Sequence, residues 1–189
     1  MKKTVKKINF LFGIHNHQPV GNFEHILEEA YQRAYRPFFD VFENHRVKMT
    51  VHFSGWLLEW LARNHPEYIE KLRSFVHERR LEIATGGYYE PIIPVIPEKD
   101  RIEQIVRLSR LIEELFDTEP TGMWLAERVW EPSVTKSLAE AGVKYAVVDD
   151  NHFRWAGLFD DELNGYYVTE EDGRTLNVFP ISKRLRYLI

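Results

Sequence analysis

The chain has 189 residues, a net charge of −4 and no cysteine, so disulfide bonds and thiolate chemistry are excluded. Its lysines and arginines are spread along the sequence, which argues against a nucleic-acid or membrane-surface partner. Hydrophobic residues make up 44% and charged residues 29%, the balance of a globular domain able to bury a sizeable core.

The opening MKKTVKKINFLFGIHNHQP begins like a secretory signal. Its apolar run is short, contains Asn9 and has no small-residue cleavage site, so a cytoplasmic protein is expected. No stretch is apolar for long enough to span a bilayer. Ile8–Ile14 reads as a first strand, and Glu24–Phe42 carries apolar residues at helical spacing. Val47–Phe53 reads as a second strand. Two helical patterns follow, Trp56–Arg63 and Pro66–Arg80, the second opened by a proline suited to a first turn. Leu81–Thr85 is a third strand, ending at Gly86-Gly87. Glu98–Phe116 is an amphipathic helix with Ile102, Ile105, Leu108, Ile112 and Leu115 on one face. Met123–Ala126 is a short fourth strand, Pro132–Ala141 a helix stopped by Gly142, and Lys144–Val148 a fifth strand. Tyr166–Glu171 and Thr175–Phe179, joined by Asp172-Gly173, predict a β-hairpin, here expected to cover a cleft.

This alternation predicts an α/β chain with a parallel sheet and crossover helices. Polar groups follow each of the five predicted parallel strands: His15, Asn16, His17 and Gln18; Ser54; Tyr88, Tyr89 and Glu90; Glu127 and Arg128; Asp149, Asp150, Asn151 and His152. In a parallel α/β barrel such positions share one rim, where catalytic groups collect.

The rim motifs have functional and plain structural readings. HNHQP is suited to metal binding or to donating hydrogen bonds to sugar hydroxyls, but equally to capping a strand. Glu82 in LEIAT points either inward, toward a rim histidine, or outward to solvent. GGYYEP reads as a sugar platform or as a turn anchored by Pro91. In WLAERVWEP, Glu127 is placed to attack an anomeric carbon, with Arg128 beside it to favour the ionised form and Trp124 and Trp130 to fence the site. The plain alternative is a surface ion pair at a helix start. Asp149-Asp150 is suited to binding a cation, to acid–base work or to capping. Aromatic residues reach 14%; a bulky core accounts for most, and a sugar cleft would use the remainder.

Six ordered blocks, FGIHNHQPVGNF, HFSGWLLEW, LEIATGGYYEP, WLAERVWEP, YAVVDDNHF and FPISKRLRYLI, together resemble glycoside hydrolase family 57, with a likeness to its 4-α-glucanotransferase and α-amylase members. The resemblance runs from about Ile8 to the last residue. It implies a (β/α)7 barrel, of which this chain would form an incomplete, TIM-like part with about five βα units and a hairpin, residues 1–189 being the N-terminal portion of the catalytic barrel. It also implies retaining chemistry on α-1,4-glucans or maltooligosaccharides, with no metal or other cofactor. By the same resemblance Glu127 is the nucleophile, and His17, Glu82 and Trp124 bind substrate, joined by His15, Glu90 and Asp150 as sugar contacts. One departure is local: the glycine that usually opens the Leu81-Glu82 block is Arg79 here.

The family's acid/base aspartate lies in a later acidic block, past Ile189. Five parallel strands cannot close a barrel, which usually takes about 200–250 residues. The chain alone is therefore expected to have little activity, and a homo-oligomer or a complementing C-terminal polypeptide would cover its open edges. Two other readings stand beside this one. One is a metal-dependent barrel hydrolase with His15 and His17 as ligands, Asp149 or Asp150 as a further one, and His52 and His152 as the remaining histidine candidates. The other is a non-catalytic fragment that at most binds glucan.

Overall fold

The computed structural model describes residues 8–188. In chain order its strands are β1 (Gly13–Asn16), β2 (Met49–Phe53), β3 (Leu81–Ala84), β4 (Gly122–Met123), β5 (Tyr145–Asp149), β6 (Tyr167–Glu171) and β7 (Arg174–Ile181). The α-helices are α1 (Glu24–Ala30), α2 (Arg36–Glu43), α3 (Gly55–Asn64), α4 (Pro66–His77), α5 (Glu98–Phe116), α6 (Thr135–Glu140), α7 (Asp150–Trp155) and α8 (Lys183–Arg186).

Two parallel ladders form. β1-β2-β3 is one, and β4-β5-β7 is the other, with β6 added outside β7 in antiparallel pairing. A parallel bridge between Thr85 and Met123 joins them, closed by Thr85 N–H to Gly122 O at 2.8 Å and Trp124 N–H to Thr85 O at 2.9 Å. The parallel order is thus β1-β2-β3-β4-β5-β7, an arc of an α/β barrel. Ile14, Val51 and Ile83 share one face, and Val51 and Ile83 pack in a core that includes Leu27, Leu61, Leu72 and Leu108. Ala146, Val148, Leu176 and Val178 do the same in a second core with Val134 and Leu138. α5 links the two cores, giving Ile105 to the second and Leu108, Ile112 and Phe116 to the first. By period-two alternation the other face carries Gly13, His15, Thr50, His52, Glu82, Ala84, Tyr145, Val147 and Asp149.

The hairpin forms where the sequence places it, with Asp172 at φ 51° and Gly173 at φ 73° in the turn, as a two-residue loop with both φ positive requires. Its second strand, however, does not cover a cleft. β7 pairs in parallel with β5 from Asn177 to Ile181 and so becomes the sixth parallel strand. The reason is burial: Leu176 and Val178 fill the core behind β5, which a free-standing lid would leave in water.

Other boundaries move for local reasons. β1 starts at Gly13 rather than Ile8, and Ile8, Phe10 and Leu11 are exposed beside it. His15 and Asn16 therefore lie inside the strand rather than after it. The predicted Glu24–Phe42 helix contains a π-helical turn, Tyr31–Tyr35, which ends two residues before Pro37. Proline has no N–H to donate and its ring crowds the carbonyl four residues back, so the local register widens.

Arg79 explains why a glycine is usual at its position. It has φ 57° and sits one residue past the C-cap of α4. Its N–H bonds to Val76 O at 2.9 Å and the next N–H, of Arg80, to Phe75 O at 3.0 Å. This is a Schellman motif, whose left-handed residue is normally glycine. Arg79→Gly removes the Cβ penalty and is expected to stabilise the protein by about 0.5–1 kcal/mol. A higher urea midpoint with an unchanged slope is the expected reading, and a lower midpoint would refute it.

Candidate active site

Parallel register brings three histidines and a carboxyl to one rim. His15 on β1 lies level with His52 on β2, and their Nδ1 atoms are 2.9 Å apart. Glu90, in the turn after β3, inserts beside both, with its Oε1 3.5 Å from each of these two nitrogens. Its Oε2 meets His17 Nδ1. Glu90 takes φ 53° in a turn closed by its own N–H to Gly87 O at 2.9 Å. Trp124, just after β4, stacks on His15 with ring centres 4.8 Å apart and planes 18° apart. The strand ends leave space for this: a Cβ on Gly86 would lie 2.4 Å from His52 Nε2, so only glycine lets the imidazole pass.

Electrostatically the cluster is neutral. Burial pushes the His15 pKa down to about 4, helped by the charges of His17 and Arg128. Burial lowers that of His52 well below the ordinary range, aided by His15 and His17. Burial also lowers that of His17, opposed by Glu127. Glu90 moves the other way, to about 8, first because it is buried and then because Glu127 repels a second negative charge. With Glu90 protonated, its close approaches to the histidines are contacts between uncharged groups rather than ion pairs. The Glu127 charge acts on both His17 and Glu90, and its turn follows within three residues of Trp124, whose ring stacks on His15.

Glu127 is presented by a strained turn. Glu127 and Arg128 both adopt left-handed backbone, at φ 52° and 56°, in a single 3-10 turn, Ala126–Arg128. Neither side chain is the short polar group that lets Asn or Asp tolerate this region, and strained backbone of this kind is held only where its surroundings fix it. The surroundings here are an ion-pair network. Arg128 Nε lies 3.2 Å from both carboxylate oxygens of Asp149, at the end of β5. Arg186 of α8 donates from Nη1 to Asp149 Oδ1 at 3.0 Å.

The structure thus brings His15, His17, Glu90, Trp124 and Glu127 together. Two other candidates lie elsewhere. Glu82 faces the inner side but one layer below His52, level with Thr50. It accepts from Thr50 Oγ1 at 3.2 Å and Thr121 Oγ1 at 3.3 Å, and among the described residues no rim histidine bonds to it. Asp150 is buried and bound by Arg154 at 3.0 Å and by the Lys183 N–H at 3.2 Å, so it ties α7 to the start of α8. Among the described residues Arg128 pairs with Asp149 rather than with Glu127. Tyr88 is no sugar platform: it is buried, packs over Gly55 and lies under the Arg107 guanidinium, 3.9 Å from its ring centre. Trp130 packs on the second core. The metal set read from the sequence is not assembled, since Asp149 and Asp150 are held by arginines and His17 turns its Nδ1 to Glu90 Oε2. Among the described residues, the donor atoms that converge are those of His15, His52 and Glu90, all within 4.8 Å of one another. His52 counted in the sequence only as a further histidine candidate of the metal reading, and Arg186 had no weight there. The alternation Thr50, Val51, His52 carried the signal for the first; Arg186 had none.

Comparison with known proteins agrees with this picture. The family model for glycosyl hydrolase family 57 matches residues 11–189. An alpha-amylase of Dictyoglomus thermophilum is 54% identical over 97% of the chain and 27% of that protein. A 4-alpha-glucanotransferase of Thermococcus litoralis is 51% identical over 98% of the chain and 28% of that protein. The crystal structure of the 4-alpha-glucanotransferase from the same organism superposes with a TM-score of 0.93, covering 97% of this chain and 29% of the other. An alpha-amylase structure from Thermotoga maritima, at 18% identity and a TM-score of 0.73, shares the fold. The chain spans between a quarter and a third of the length of these curated relatives. With the family model covering nearly every residue, this chain belongs to glycosyl hydrolase family 57.

Proposed function

We propose that these residues form the N-terminal portion of a retaining catalytic barrel acting on α-1,4-glucans, of 4-α-glucanotransferase or α-amylase type. Glu127 attacks the anomeric carbon and carries the covalent glycosyl intermediate. His17 and protonated Glu90 hold sugar hydroxyls beside it, and Trp124 supplies a face for a pyranose ring. The observation that carries this reading is the fixed left-handed turn that presents one carboxylate beside a neutral, hydrogen-bonding cluster.

Retaining chemistry also needs a second carboxyl about 5–5.5 Å from the nucleophile to protonate the leaving oxygen. Glu90 is a neutral acid, but the histidines hold it as a sugar-binding group, so we assign the proton donor to a segment outside these 189 residues. Transfer and hydrolysis share the intermediate and differ in whether sugar or water receives it.

An activated 5-fluoro-α-glucosyl fluoride tests this, since fluoride leaves without a proton. The chain should gain one glycosyl unit on the peptide containing Glu127, detected by mass spectrometry. Unactivated maltooligosaccharides should turn over about 10²–10⁴-fold more slowly than with the acid in place. No label, or label on another carboxylate, overturns the nucleophile. Rapid disproportionation by residues 1–189 alone overturns the separate acid. Glucan binding without any label would favour a non-catalytic role.

A further inference from the structure

Three donor atoms at the rim have the spacing of a coordination shell. His15 Nδ1 and His52 Nδ1 are 2.9 Å apart, and Glu90 Oε1 is 3.5 Å from each. A tetrahedral ion with ligand distances of about 2.0–2.1 Å holds its donors roughly 3.3–3.4 Å apart. The three atoms therefore need move only by tenths of an ångström to close around one ion. The Glu90 side chain is 7% exposed, and its Oε1, one corner of this triangle, is buried with no hydrogen-bond partner among the described residues. That is the second, independent sign of a ligand, since a buried unpaired oxygen is costly.

The surroundings suit the purpose. Two imidazoles and one carboxylate form a ligand set used by catalytic zinc sites, leaving a fourth position open. His15 keeps 28% of its side chain exposed and so gives access. His17 on the other oxygen of Glu90 orients that carboxyl, as outer partners of metal ligands do. Trp124 stacked on His15 and Gly86 against His52 fix both rings. Mg2+ and Ca2+ prefer oxygen ligands and do not match the donors.

We propose that His15, His52 and Glu90 form a binding site for one borderline-soft divalent ion of the Zn2+ class. The site differs from the set suggested by the sequence, which joined His15 to His17 and an aspartate with His52 as a further candidate: His17 and the aspartate drop out and Glu90 enters. It does not rest on the glycosyl-transfer reading, because coordination needs only these three donors and is read as metal content. It has a consequence for that reading: an ion here takes Glu90 from its sugar-binding role and stands beside Glu127, so ion and glucan compete.

The test is a zinc titration of chelator-stripped protein by calorimetry, followed by gel filtration and elemental analysis. One zinc per chain is expected, and none retained when MgCl2 replaces ZnCl2. His52→Ala and Glu90→Gln should each weaken zinc binding by about 100-fold, and His17→Ala by about tenfold. Co2+ in the same site should give the strong visible absorption of four-coordinate cobalt, lost in both ligand variants. Far-UV circular dichroism checks that the variants fold. Zinc protection of His15 from carbethoxylation, mapped on the unmodified sequence, gives a readout that needs no variant. Substoichiometric zinc, binding unchanged in both ligand variants, or an unprotected His15 would each overturn the site.

Discussion

Glu127→Gln removes glycosyl labelling altogether. The amide keeps the size of the side chain and its place in the left-handed turn, but it has no charge and no lone pair able to form a stable glycosyl ester. Loss of a covalent nucleophile costs about four to six orders of magnitude in rate, so label from an activated glycosyl fluoride should fall below detection. The fold should survive, since the turn is held by Arg128 and Asp149 rather than by Glu127. Glu90 gives a second signal. Its pKa is raised partly by the Glu127 charge, so the variant should shift Glu90 back toward the ordinary carboxylate range, visible by carboxyl NMR. Labelling of Glu127→Gln at the wild-type rate would remove the nucleophile from the proposal.

Asp149→Asn is the second large effect, and it acts through geometry. Asp149 is the shared anion of Arg128 and Arg186, all three being about a quarter exposed. Asparagine leaves two guanidinium groups without a counter-charge and offers one acceptor oxygen in place of two. Loss of charge-assisted hydrogen bonds of this kind costs about 2–3 kcal/mol. The strained pair at 127 and 128 then loses what fixes it, and a displacement of about 1 Å at a reacting group costs roughly 10²-fold. The expected result is therefore a lower denaturation midpoint together with a labelling rate down about 10²-fold and donor affinity nearly unchanged. A merely structural role would lower the midpoint and leave the labelling rate of the folded fraction intact. Asp149→Glu, keeping the charge, should recover part of the rate.

Much of the scaffold was legible because it follows from short-range patterns. α5 begins and ends where its apolar spacing says, at Glu98 and Phe116. The Asp-Gly turn sits where two alternating runs need it. What escaped was long-range. Nothing in KYAVV or TLNVF states that these two segments pair in parallel, since that depends on which core Leu176 and Val178 fill. The short helices α7 and α8, of six and four residues, hold too few turns for periodicity to register.

The site divided in the same way. Residue types at strand ends marked His15, His17, Glu90 and Glu127, because parallel strands deliver their C-terminal ends to one rim. How those residues pair was not marked. His52 joins His15 only through strand register. Asp149 meets Arg186 across 37 positions of sequence. Glu82 sits low because it is two residues earlier along its strand than Ala84, which is level with His52.

The join at Thr85 carries a mechanical consequence. The histidines and Glu90 belong to the ladder on one side of it, and Trp124 and Glu127 to the ladder on the other. Two backbone hydrogen bonds, the Thr85–Ser109 hydroxyl contact at 2.9 Å and the length of α5 are the rivets along this line. Any flexing of one half of the arc against the other is therefore geared directly into the gap between attacking oxygen and cluster, and the amide protons of Thr85 and Trp124 are its built-in strain gauges.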